Sequence, residues 1–99
     1  MRISEEQIGI IRNEVMRQMG ADARVRLFGS RVDDTRRGGD IDLLVESAES
    51  IDEPALVAAR LSARISRAMG GRRIDVLLRA PNLMELPIHA IAMEEGVLL

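Results

Sequence analysis

Two short, mostly apolar runs constrain this chain more than any other feature: Val25–Phe28, closed by Gly29-Ser30, and Ile41–Val45, opened by Asp40-Ile41-Asp42. Brief apolar runs bounded by turn formers read as strands rather than helices, here Val25 to Phe28 and Ile41 to Glu46. In a strand, residues i and i+2 project to the same face, so Asp40 and Asp42 point together with Ile41 turned into the core between them. Two carboxylates that close repel, and without a cation at least one has its pKa raised. A hard divalent cation removes that penalty, and Mg²⁺ is typically held by one or two carboxylates plus substrate phosphates. Gly29 lets a backbone approach a ligand closely, while the Ser30 hydroxyl and nearby N–H groups suit phosphate oxygens. Either motif alone is a common turn or strand start. Both together, at two strand ends separated by the loop 30–39, predict a nucleotide site.

The flanking segments predict helices. Residues 4–19 carry Ser4 with Gln7 as a capping box, the stripe Ile8, Ile11, Val15 and Met19, and Gly20 as a stop. A second helix is expected from about Glu53 to Met69, with Asp52 as its cap and Pro54 in the first turn. Val57, Leu61, Ile65 and Ala68 form its inner stripe, and Arg60, Arg64 and Arg67 its solvated side. Arg73–Arg79 reads as a third strand, Pro87–Glu95 as a short helix stopped by Gly96, and Val97–Leu99 as an apolar tail. His89, the lone histidine, reads as a packing or helix-surface residue.

The loop 30–39 reverses the chain, so the first two strands should be antiparallel neighbours. The second and third are joined by a helical crossover, as parallel neighbours require. Their starts then share one end of the sheet, and Asp75 stands beside Asp40 and Asp42. Asp75 interrupts an apolar strand, where an isolated buried carboxylate would cost several kcal/mol and need a partner or an ion.

Composition excludes several classes. Fourteen basic against 16 acidic residues leave a net charge of −2, and Phe28 is the one aromatic residue. Neither a basic excess nor a stacking platform for single strands exists, so a nucleic-acid partner and templated polymerisation are not expected. The absence of cysteine rules out disulfides and thiolate metal sites and fits a reducing cytoplasm. No run approaches the roughly 18 apolar residues of a membrane span. The expectation is one domain over residues 1–99, α/β (α+β) in class, with helices packed against a small mixed sheet of at least three strands.

The order apolar residue, Gly29-Ser30, loop, Asp40-Ile41-Asp42-Leu43, with Ile74-Asp75-Val76 later, resembles the polymerase-β-like nucleotidyltransferase superfamily. It looks most like the minimal nucleotidyltransferases (MNT proteins), many of which are antitoxins encoded beside a helical HEPN-domain toxin. The resemblance implies that Asp40 and Asp42 bind two Mg²⁺ ions. Asp75 would help hold the ion on the acceptor side and favour loss of the acceptor's proton, while Gly29 and Ser30 hold the triphosphate of ATP. Arg31, Arg36 and Arg37 are further phosphate contacts or solvated loop charges; Arg31 is taken as nucleotide-binding. Two departures stand out. Asp33-Asp34 occupies the region where family members often carry Arg-Gly, and Gly39 replaces a frequent serine before the first aspartate. The implied reaction is AMP transfer to a tyrosine of a HEPN toxin. The alternatives are a contact inhibitor without chemistry and a small-molecule nucleotidyltransferase.

Overall fold

A computed structural model describes residues 3–29 and 40–99 of the chain. The elements are α1 (Glu5–Met19), β1 (Arg24–Phe28), β2 (Ile41–Glu46), α2 (Pro54–Ala68), β3 (Ile74–Arg79), α3 (Pro87–Glu95) and β4 (Val97–Leu98). The strands form one mixed sheet in the order β3-β2-β1-β4, with β1 antiparallel to β2 and β4, and β2 parallel to β3.

Local chemistry accounts for α1. The Gln7 N–H donates to Ser4 Oγ at 3.1 Å, and the Ser4 N–H donates to Gln7 Oε1 at 2.9 Å, so two otherwise orphaned donors are satisfied reciprocally. Gly20 ends the helix with a φ of +93°, a backbone conformation that favours glycine. The start of α2 differs from expectation. Its N-cap is Glu53, in the left-handed region at φ +51°, and not Asp52. Pro54 occupies the first helical position, where its fixed φ fits and its missing N–H costs nothing, so the cap falls on the residue directly before it. No side chain hydrogen-bonds at that cap.

One face of the sheet carries the main core. Ile11 and Val15 of α1 and Leu61 and Ile65 of α2 meet Val25, Leu27, Ile41, Leu43, Val45, Ile74 and Leu78, all buried. Arg60, Arg64 and Arg67 are exposed, as the solvated side of α2 should be. The other face, by alternation, carries Arg26 and Phe28 of β1, Asp42, Leu44 and Glu46 of β2, and Asp75, Leu77 and Arg79 of β3. Leu44 is completely buried although it lies outside the main core. Its cover is α3, which packs on β1 and β2 and buries Ala92 completely. The middle of β2 is therefore apolar at Leu43, Leu44 and Val45 because both of its faces are covered.

His89 anchors α3. Its ring accepts from the Leu86 N–H at Nδ1 and donates through Nε2 to the Leu78 carbonyl, both at 2.9 Å. It is a buried packing residue. The tail forms β4, which adds a fourth strand: Leu98 pairs with Arg26 and Val97 with Leu27. Among the described residues, no helix is long and apolar enough to cross a membrane.

Candidate active site

The topology brings the end of β1 and the starts of β2 and β3 to one edge of the sheet. The register aligns Phe28 with Asp42 and Asp42 with Asp75. The two aspartates are thus direct neighbours across parallel strands and share a face. Asp40 precedes β2 at the same edge. Gly29 follows β1 with a φ of +77°, and a Cβ built there would lie 3.3 Å from Asp42 Cγ and closer still to its Oδ2. Only glycine leaves the Asp42 carboxylate its space.

Burial pushes the Asp42 carboxyl above its ordinary pKa. The negative charges of Asp75 and then Asp40 push it further, as does the hydrogen bond its protonated form shares with Asp75. Arg73 opposes the shift. This is the self-repelling cluster that the spacing predicts, and it favours a bound cation.

Arg73 is the participant that reading the sequence missed. Its Nε lies 3.9 Å from Asp40 Oδ2 and 3.5 Å from Asp75 Oδ1, so a guanidinium stands between two carboxylates as a cation would. A signal was available, because Arg73 and Asp75 are i and i+2 along an extended segment and so share a side. The side chain is 74% exposed, which leaves it free to swing away. Asp75 is itself exposed and not buried as its apolar neighbours implied. It lies at the open end of an edge strand, where its carboxylate reaches solvent and Arg73 without a desolvation penalty. Among the described residues, no group of three or more acidic, cysteine or histidine side chains is placed to hold a metal ion. A pair of carboxylates still suits Mg²⁺, which takes much of its shell from water and substrate phosphates. Ser30, Arg31, Arg36 and Arg37, expected at the phosphates, lie outside the described residues.

A cavity of about 280 Å³ lies at the opposite end of the strands, beside Glu46, Arg79, Met84 and His89. Its charges are already paired: Arg26 Nε donates to Glu46 at 3.0 Å, while Arg79 donates to Glu46 at 3.2 Å and to Glu85 at 2.7 Å. Hydrogen bonding and charge from Arg79 hold Glu85 below the usual carboxylate range. The self-repelling carboxylates, and not this satisfied network, carry the electrostatic demand for a ligand.

Residues 9–99 match the family model described as a nucleotidyltransferase domain. The chain belongs to that family. No curated relative matches it in sequence. Among solved structures, it resembles a chain of a toxin–antitoxin crystal structure with AMP-PNP, at 20% identity and a TM-score of 0.65, over 97% of this chain and 72% of the other. A mutant of the toxin–antitoxin MntA–HpeT gives 20% identity and a TM-score of 0.63 over 98% and 71%. A tri-AMPylated Shewanella oneidensis HEPN toxin in complex with an MNT antitoxin gives 19% and 0.57 over 93% and 70%. At these identities the likeness is one of fold, and it covers nearly the whole nucleotidyltransferase domain described above.

Proposed function

We propose that this nucleotidyltransferase is a Mg²⁺-dependent protein adenylyltransferase acting as an antitoxin in the cytoplasm, moving AMP from ATP to a tyrosine hydroxyl of a HEPN-type partner. The observation that carries the reading is the alignment of Asp42 with Asp75 across parallel strands, with Asp40 and Gly29 at the same edge. Family membership supports nucleotide transfer. The similar structures, one holding AMP-PNP and another an AMPylated HEPN toxin, support the nucleotide and the partner.

Asp40 and Asp42 would hold the metal, with Asp75 completing the acceptor side. Bound there, two Mg²⁺ ions supply charge neutralisation for the triphosphate and lower the pKa of the acceptor hydroxyl. The residues then position the reactants. Gly29 leaves the Asp42 carboxylate its place, and the Gly29 backbone, Ser30 and Arg31 would hold the triphosphate oxygens. Asp75 accepts the proton as the acceptor oxygen bonds to the α-phosphorus. The bond from that phosphorus to the bridging oxygen breaks, and pyrophosphate leaves in line. Phosphoryl-type transfer needs little more than such positioning and charge compensation.

The test is intact mass. A HEPN-domain protein, which this reading expects to be encoded beside this chain, should gain one or more adenylyl groups on tyrosine when incubated with it and Mg-ATP, and lose ribonuclease activity that stays lost after separation. With Asp42→Asn it should gain none. A partner inhibited only while bound, and never modified, would replace this reading with contact inhibition. Adenylylation of a small alcohol in place of the protein would replace it with a small-molecule transferase.

A further inference from the structure

Among the described residues, none covers the outer face of α3 and the turn before it. Residues 86–93 contain no charged side chain, yet only His89 and Ala92 among them are buried. Met84 is 80% exposed, Ile88 46% and Ile91 51%, and Leu86 is similarly open. A run of large apolar side chains left in water along one helix is the ordinary mark of an interaction surface. From the cavity beside Met84 at one end, α3 runs across the sheet face to Gly96, whose added Cβ would lie 3.3 Å from the Leu27 carbonyl. The helix thus spans the face that carries Asp42 and Asp75, and it ends next to Leu27 of β1, whose following residue, Phe28, aligns with Asp42. Helices α1 and α2 cover the opposite face, so a molecule seated on them would be separated from the carboxylates by the sheet.

We infer that this face of α3 is where the acceptor protein docks, holding its hydroxyl-bearing segment on the side of the sheet where Asp42 and Asp75 stand. The inference rests on the protein-adenylyltransferase reading and adds the surface and the partner's chemistry. At the Gly96 end of the apolar centre lie the exposed Glu94 and Glu95, while Glu85 at the other end is already paired with Arg79. The complementary partner surface is therefore apolar at its centre with basic residues at its rim. A second copy of this chain fits poorly. In a parallel pairing Glu94 and Glu95 would meet themselves, and in an antiparallel pairing they would face the copy's Arg79–Glu85 pair, whose basic charge is already taken. The face therefore does not complement itself. It suits the anchoring centre of a heteromeric contact that extends toward the carboxylates.

The experiment measures docking apart from chemistry. The purified HEPN-domain partner expected to be encoded beside this chain is titrated, in EDTA and without nucleotide, against wild type, Ile88→Asp/Ile91→Asp, the milder Ile88→Ala/Ile91→Ala, and Arg64→Asp on the opposite face. Circular dichroism and the thermal shift by Mg-ATP check that each variant folds and keeps its nucleotide site. The aspartate pair should weaken binding by about thirtyfold or more, as loss of central anchors does, the alanine pair by less, and Arg64→Asp not measurably. Wild-type affinity in the folded alanine and aspartate pairs would overturn the inference, as would failure of the wild type to bind. So would protection from hydrogen exchange on α1 and α2 instead of α3. A homodimer that the aspartate pair dissolves would make a second copy the occupant and overturn it as well. Docking through α3 without adenylyl transfer would leave this surface standing and remove the transferase reading.

Discussion

Replacing Gly29 with alanine tests how the site is packed, because the substitution acts through two separable effects. The backbone at φ +77° costs an L-residue roughly 1–2 kcal/mol. The new Cβ would also fall on the Asp42 carboxylate, 3.3 Å from Cγ and nearer to Oδ2. Asp42 must leave its rotamer to relieve the overlap, at about 0.5–1.5 kcal/mol. The sum is about 2.5 kcal/mol, and at about 4–8 °C per kcal/mol for a domain of this size the melting temperature should fall by about 10–20 °C. A double-mutant cycle separates the two effects. Once Asp42→Ala has removed the carboxylate, the backbone cost alone remains, so the coupling should be about 0.5–1.5 kcal/mol. The assay is urea and thermal unfolding of wild type, both single variants and the double variant in EDTA. Zero coupling would refute the steric argument, and a total loss under about 0.5 kcal/mol would refute the backbone argument. Displacement of Asp42 should also reduce the thermal shift produced by Mg-ATP.

Asp42→Asn should change how metal-free stability depends on pH. The folded pKa of Asp42 is raised, so its stabilising contribution is full below 3.8 and is lost as pH rises through the raised value. The wild type should therefore weaken across that window relative to the variant, which should be at least as stable at pH 7; superimposable pH profiles would count against the cluster. Arg73→Ala should tighten Mg²⁺ binding several-fold, because the guanidinium that competes between Asp40 and Asp75 is gone. A weaker Mg²⁺ midpoint would show that Arg73 instead helps to hold substrate phosphates. His89→Ala should cost about 2–3 kcal/mol, since the Leu86 N–H and the Leu78 carbonyl both lose their partner. Denaturant titration checks this, and a loss below about 1 kcal/mol would mean that His89 does not anchor α3.

Features that depend on neighbours a few positions apart are legible along the chain. The Ser4–Gln7 capping box lies within one helical turn, and the bounds of β2 are the expected ones. The parallel pairing of β2 and β3 followed from the helical crossover, and with it the approach of Asp75 to Asp42. The family likewise followed from the two strand-end motifs, and 9–99 is the stretch that matches. Only the tertiary structure decided which surfaces are covered. Asp75 is exposed despite its apolar neighbours because β3 is an edge strand, and Arg73 reaches across to Asp40 because β2 and β3 start together. The tail became β4 because β1 still had an unpaired edge, and Leu44 is buried because α3 returns over the second face. Hydrogen-bonding patterns and hydrophobic periodicity are written along the chain. Coverage is set by contacts between segments distant in sequence, and periodicity alone does not say which of them will meet.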